Sequence, residues 1–132
     1  MTASNRYFDD VLSTHVLIRD WLSGTANGAE KYAALLARFS ADFTMISPSG
    51  TRLDSAGLTA FFSGAAGSRP GLRMQITDLV LLQQGSTGAV VGYREIQSQP
   101  GLETTERWST VVYENAPDGP LLWRHLHETW IA

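Results

Sequence analysis

The residues of this 132-residue chain that could do chemistry gather around three histidines. Two of them, His125 and His127, stand in the closing stretch LLWRHLHETWIA. If that stretch is a strand, alternation places Trp123, His125, His127 and Thr129 on one face, with the two histidine backbones about 6.5–7 Å apart. An H-x-H pair can hold a metal when a further ligand converges, which His15 or an acid would have to supply. The same pair can instead line a pocket, with His127 as base, donor or hydrogen-bond anchor, or form a polar patch of structural use only. No additional histidine is left to complete a site, so no metal is expected.

His15 occupies the middle of an apolar stripe, Phe8, Val11, Leu12, His15, Ile18 and Leu22, at helical spacing. A histidine there is either buried with partners for its nitrogens or turned toward a cavity. Should His15 and His127 meet across the interior, they would form an acid/base couple that works near neutral pH. These two are the candidate catalytic residues. Alternation groups Tyr93 with Glu95, and Trp108 with Glu106 and Thr110. With Trp123, His125 and Thr129 they suit the wall of a pocket for a small apolar or aromatic ligand, although such aromatics also fill cores and subunit interfaces. Arg94, Arg107, Arg124 and Glu128 have the opposite parity to the histidines. They are expected on the sheet surface or at a subunit interface, with Arg107 and Glu128 pairing across strands.

The rest of the composition narrows the chemistry. At 43% hydrophobic and 17% charged residues, the chain can bury a single core. It has no cysteine, which removes thiol catalysis and thiolate metal sites. It has no G-x-S-x-G elbow, G-x-G-x-x-G turn or P-loop, so no cofactor is expected. A net charge of −3 and a single lysine, Lys31, argue against nucleic acid as a partner. MTASNRYFDD lacks the apolar stretch of a signal peptide, and the longest aliphatic run is Leu79 to Leu82. A cytoplasmic protein without membrane contact is the expectation.

The elements that must position these residues follow from periodicity. A first helix carries the His15 stripe and stops at Gly24. A second starts near Asn27, with Glu30 completing a capping box and Tyr32, Leu35, Leu36 and Phe39 facing the core. Phe43 to Ser47 reads as a short strand ended by Pro48 and Gly50. A third helix begins at the N-cap Asp54 and buries Leu58, Phe61 and Phe62; SGAAGSRPG then reads as a loop. From Leu72 the period becomes two, giving strands near 72–84, 88–98, 103–114 and 121–131. The links QGST, SQPGL and NAPDGP are short enough for an antiparallel meander. The whole is one α+β domain over residues 1–132.

This order, with FSADFTMISPSG after the second helix and ERWSTVVYE…GPLLWRHLHETWI at the end, resembles the nuclear transport factor 2-like (NTF2-like) superfamily, in particular its SnoaL-like branch. The resemblance covers essentially the whole chain. It rests on F-x-x-D-F followed by Pro-x-Gly, and on a last strand of the form W-x-x-x-H-x-[ST], here Trp123, His127 and Thr129. It implies a cone of three N-terminal helices packed on a curved, mostly antiparallel sheet, an apolar pocket, and a homodimer formed through the sheet. Members of that superfamily include isomerases, cyclases, dehydratases, hydrolases and non-catalytic association domains. In ketosteroid isomerase-like members an aspartate precedes the Pro of the turn. Here Ser47 takes that place and has no carboxylate to accept a proton, which speaks against that mechanism. Asp42 resembles an acid that fixes a turn at the entry to the first strand. The functions left are a small-molecule-binding domain without turnover, a cofactor-independent isomerase, cyclase or hydrolase using a pocket histidine, or a structural dimerisation domain.

Overall fold

Capping chemistry sets the helices. Asn5 accepts from the backbone N–H groups of Tyr7 and Phe8 at 2.9 and 3.2 Å, starting α1 (Arg6–Ser23). Gly24 ends it in the left-handed region, φ 85°, donating to the carbonyl of Asp20 at 3.1 Å. Asp54 caps α3 (Ser55–Ala65) through Gly57 N–H at 2.8 Å. In this computed structural model, residues 5–116 and 119–132 are described. The turn NAPDGP contains Pro117 and Asp118, and the opening of MTASNRYFDD contains residues 1–4, all outside the described residues.

The second helix departs from expectation. α2 spans Ala29–Leu36 and its N-cap is Gly28, φ 106°, with no side-chain cap. Asn27 instead donates from Nδ2 to the carbonyl of Trp21 at 3.3 Å, tying the turn back to α1. Phe39 is not on this helix but opens β1 (Phe39–Ile46), which is longer at its start than the expected strand. A short β2 (Arg52–Asp54), not anticipated, folds back antiparallel on β1. The third helix runs through Ser63–Ala65, into the stretch read as loop.

The meander follows as β3 (Arg73–Gly85), β4 (Gly88–Ser98), β5 (Thr105–Asn115) and β6 (Leu121–Trp130). The sheet order is β2-β1-β6-β5-β4-β3, antiparallel except where β1 runs parallel to β6, pairing Met45 with Leu126 and Ile46 with His127. The expected α+β architecture of three helices on a curved, mostly antiparallel sheet is therefore observed.

One face of the sheet carries the core. Val91, Tyr93, Val111, Tyr113 and Trp123 meet Tyr7, Val11 and Leu22 of α1 and Leu58 and Phe62 of α3, all buried. Asp10 pins α1 to that face. Its carboxylate accepts from Trp123 Nε1 at 2.7 Å, Tyr113 Oη at 2.8 Å, Thr14 Oγ1 at 3.1 Å and Arg38 Nη1 at 3.1 Å. Two residues expected in the core are not there: Leu12 is 44% exposed on the outer side of α1, and Phe61 is 52% exposed. No described element covers the sheet's other face.

The register of β6 overturns the shared face expected for Trp123, His125, His127 and Thr129. Tyr113 pairs with Trp123, but the next residue back, Val112, pairs with His125, leaving Arg124 unpaired in a bulge. The extra residue reverses the alternation. Trp123 points into the core, the histidines and Thr129 point outward, and Leu126, Glu128 and Trp130 return to the inner side.

Candidate functional site

The inner face of the sheet and the helices α1 and α3 surround a partly open cavity of about 260 Å³. Most of its wall is apolar, including Leu22, Phe39, Phe43, Leu58, Phe62 and Leu126. Half-exposed Phe61 stands where it meets solvent. The remaining wall is a polar cluster of His15, Arg69, Glu95, Gln97, Arg107 and Glu128. Alternation explains the strand members: Tyr93, Glu95 and Gln97 of β4 share the inner parity, as do Arg107 and Ser109 of β5.

His15 is clamped on both sides. Its Nδ1 lies 2.7 Å from the carbonyl of Val11, and its Nε2 lies 3.1 Å from Glu95 Oε1. With Glu95 ionised, a carbonyl oxygen and a carboxylate only accept, so both ring nitrogens donate and the ring is an imidazolium. Burial works against this charge, but Glu95's charge and hydrogen bond outweigh it and raise the His15 pKa. For Glu95, burial would raise the pKa; the charge and hydrogen bond of His15, helped by Arg107 and Gln97, lower it to about 2. Gln97 bonds Glu95 through its amide nitrogen.

Glu128 behaves oppositely. It accepts from Ser109 Oγ at 3.2 Å and from Arg107 Nη1 at 3.4 Å. Burial first, and then the negative charge of Glu95, raise its pKa to about 6. Two carboxyl groups of one cluster thus sit on either side of the ordinary value, the arrangement that separates a fixed charge from a proton carrier. Arg69 reaches in from the segment after α3, donating from Nη1 to Gln97 Oε1 at 2.6 Å and from Nε to Gln99 Oε1 at 3.2 Å.

The expected site residues divide between the faces. His15 and Trp123 line the cavity. Tyr93 lies on the inner face, 1% exposed, its ring edge-on to His15 at 5.4 Å, and its buried hydroxyl has no partner among the described residues. Trp108 and Thr110 do group with Glu106, but on the outer face: periodicity groups residues without saying which face is inside. His125, His127 and Thr129 are also outside, moved there by the Arg124 bulge. His125 Nδ1 is 2.7 Å from Thr44 Oγ1, and burial, then His127 and Arg124, lower its pKa. The couple of His15 with His127 does not form; Glu95 takes the partner's place. Among the described residues, no group of three or more His, Cys, Asp or Glu side chains is arranged to hold a metal.

The largest correction concerns Arg107 and Glu128. Their expected pairing exists, but inside the cavity and not on the sheet surface. Trp130 belongs with them, 4.7 Å from the Arg107 guanidinium. A signal was available. The apolar residues of β6 step by two from Leu121 to Trp123 and then by three to Leu126, which is the mark of a bulge. Ser47 lines the cavity too, and its Oγ accepts from Thr51 N–H at 3.0 Å, holding the turn that follows β1.

No family model and no curated protein matches the sequence. Among solved structures, an NTF2-like protein of unknown function from Pseudomonas aeruginosa is 44% identical, covers 96% of this chain and 98% of that one, and has a TM-score of 0.90. This chain belongs to the NTF2-like proteins. More distant members show the fold alone. A ketosteroid isomerase-like protein from Erwinia carotovora atroseptica is 10% identical over 95% of this NTF2-like chain and 93% of its own, TM-score 0.66. A CaMKII hub from S. rosetta is 17% identical over 93% and 95%, TM-score 0.68. No described helix of this NTF2-like protein is long and apolar enough to cross a membrane.

Proposed function

We propose that this NTF2-like protein binds a small, largely apolar molecule in its interior cavity, the ligand's polar end meeting the cluster of His15, Glu95, Arg107 and Glu128. The observation that carries this reading is the cavity itself. An apolar wall ending in a few buried, convergent polar groups is the usual form of a small-molecule site. Its volume of about 260 Å³ is near the lower end of the roughly 300–1,000 Å³ typical of such sites, which favours a compact ligand. Working in the cytoplasm is consistent with a cysteine-free chain.

A ligand-observed NMR screen of small aromatic and alicyclic compounds tests it. Hits are expected, and they are expected to vanish in Leu58→Trp, which fills the space beside Phe62. Hits that survive the filled cavity would place binding elsewhere.

Glu128 favours a second reading, cofactor-independent proton transfer. A cavity-facing carboxyl with a pKa of about 6 gives and takes a proton readily at neutral pH. In that reading Glu128 carries the proton while the His15–Glu95 pair stays charged and orients the substrate. Enzyme-dependent deuterium incorporation into a bound compound in D₂O, lost in Glu128→Gln, is the expected result. The uncovered outer face, with Val80, Leu82 and Trp108 half-exposed, supports a homodimer through the sheet.

A further inference from the structure

We propose that the cavity is built for an anion: a small apolar carboxylic acid, its carboxylate received by the guanidinium groups of Arg69 and Arg107. The inference rests on the cavity being a ligand site and names the class of ligand it takes.

The charges in the wall decide the sign. Five ionisable side chains line the cavity: His15, Arg69, Arg107, Glu95 and Glu128. His15 is paired with Glu95 at 3.1 Å, and Arg107 with Glu128 at 3.4 Å. Arg69 is left over. Its partners, Gln97 and Gln99, are neutral amides, and no described carboxylate lies within salt-bridge distance of it. The wall therefore carries an excess positive charge at a partly buried point. A cationic ligand would face three positive groups and find both carboxylates already engaged.

The donors are also in place. The bonds from Nε and Nη1 to two glutamines hold the Arg69 guanidinium in one orientation, with Nη2 free of a protein partner among the described residues. Arg107 contributes a buried Nε that likewise has no partner. A planar fork with spare N–H groups matches the two oxygens of a carboxylate better than any neutral acceptor. The apolar walls opposite, Leu58, Phe62 and Leu126 among them, suit the hydrocarbon end of the same molecule.

Calorimetry with 3-phenylpropanoate and its neutral isostere 3-phenylpropanamide, at pH 7.5 and low salt, tests the proposal. The acid is expected to bind about tenfold more tightly than the amide, the scale of one charge-assisted hydrogen bond. Arg69→Gln is expected to lower the acid's affinity about tenfold and so remove its preference over the amide, its thermal transition showing that it is folded. Equal binding of acid and amide by the unmodified protein would overturn the anion assignment and leave the cavity as a site for neutral ligands. A preference that survives Arg69→Gln would overturn it as well. If neither compound binds, the small-molecule reading and the anion assignment fall together.

Discussion

Removing one partner of the buried His15–Glu95 pair should unmask how much of the fold depends on it. Glu95 is 3% exposed in the intact protein, and His15→Ala would deprive it of its cation and leave it with Gln97 and the more distant Arg107. Breaking a buried pair from one side costs about 3–5 kcal/mol. The lowering of the Glu95 pKa from 4.5 to about 2 gives a consistent figure, about 3 kcal/mol for the charged carboxylate. Replacing both by leucine removes both charges, so the double variant should lose less than the two single variants together, a coupling of about 3 kcal/mol. The pH dependence has a definite sign. Glu95 is depressed, so its contribution is complete above about pH 4.5 and is lost as pH falls toward 2. His15 is raised, so its contribution is complete below about pH 6.5 and is lost as pH rises through its elevated value. The pair is strongest between these limits. Urea unfolding of the unmodified protein, His15→Ala, His15→Leu, Glu95→Leu and the double leucine variant at pH 3, 5.5 and 8.5 measures all of this, the three leucine variants closing the cycle. A cost below about 1 kcal/mol for His15→Ala at pH 5.5, or the same acid dependence with and without the pair, would refute it.

Three other outcomes are expected. Asp10→Ala leaves the Trp123 N–H without its acceptor inside the core and Tyr113 O–H with only the longer bond to the Tyr7 carbonyl, and should cost about 3 kcal/mol in chemical denaturation, with altered tryptophan near-ultraviolet dichroism. In Gly88→Ala the added methyl would lie 2.0 Å from the Tyr113 carbonyl oxygen, so the β3–β4 hairpin must shift away from β5, at about 1–3 kcal/mol by thermal melting. Trp108→Lys places a charge on the uncovered sheet face and should lower the sedimentation mass of a sheet-mediated dimer without unfolding the chain.

Local physics made most of the architecture legible from sequence. Helical spacing around His15 and Leu22, the Asp54 cap, the Gly24 stop and the switch to period two at Leu72 each depend on neighbours only a few residues away. They correctly indicated three helices followed by four long strands, and the ending around Trp123 and His127 pointed to the right family. Within β4 and β5, alternation also grouped Tyr93 with Glu95, and Trp108 with Thr110, as observed.

What tertiary structure alone decided was which of those groups became the interior. Alternation is symmetric between the two faces of a sheet; only the arrival of α1 and α3 breaks that symmetry, and they cover the side carrying Glu95 and Arg107. The bulge at Arg124 then exchanged the roles of the last strand, sending His125 and His127 outward and bringing Glu128 in. The polar cluster joins α1, the segment after α3, β4, β5 and β6, so no spacing along the chain could announce it. His15 was visible as an anomaly because it interrupts an apolar stripe. Its partner, Glu95, is 80 residues away and was chosen by the packing of a helix on a sheet.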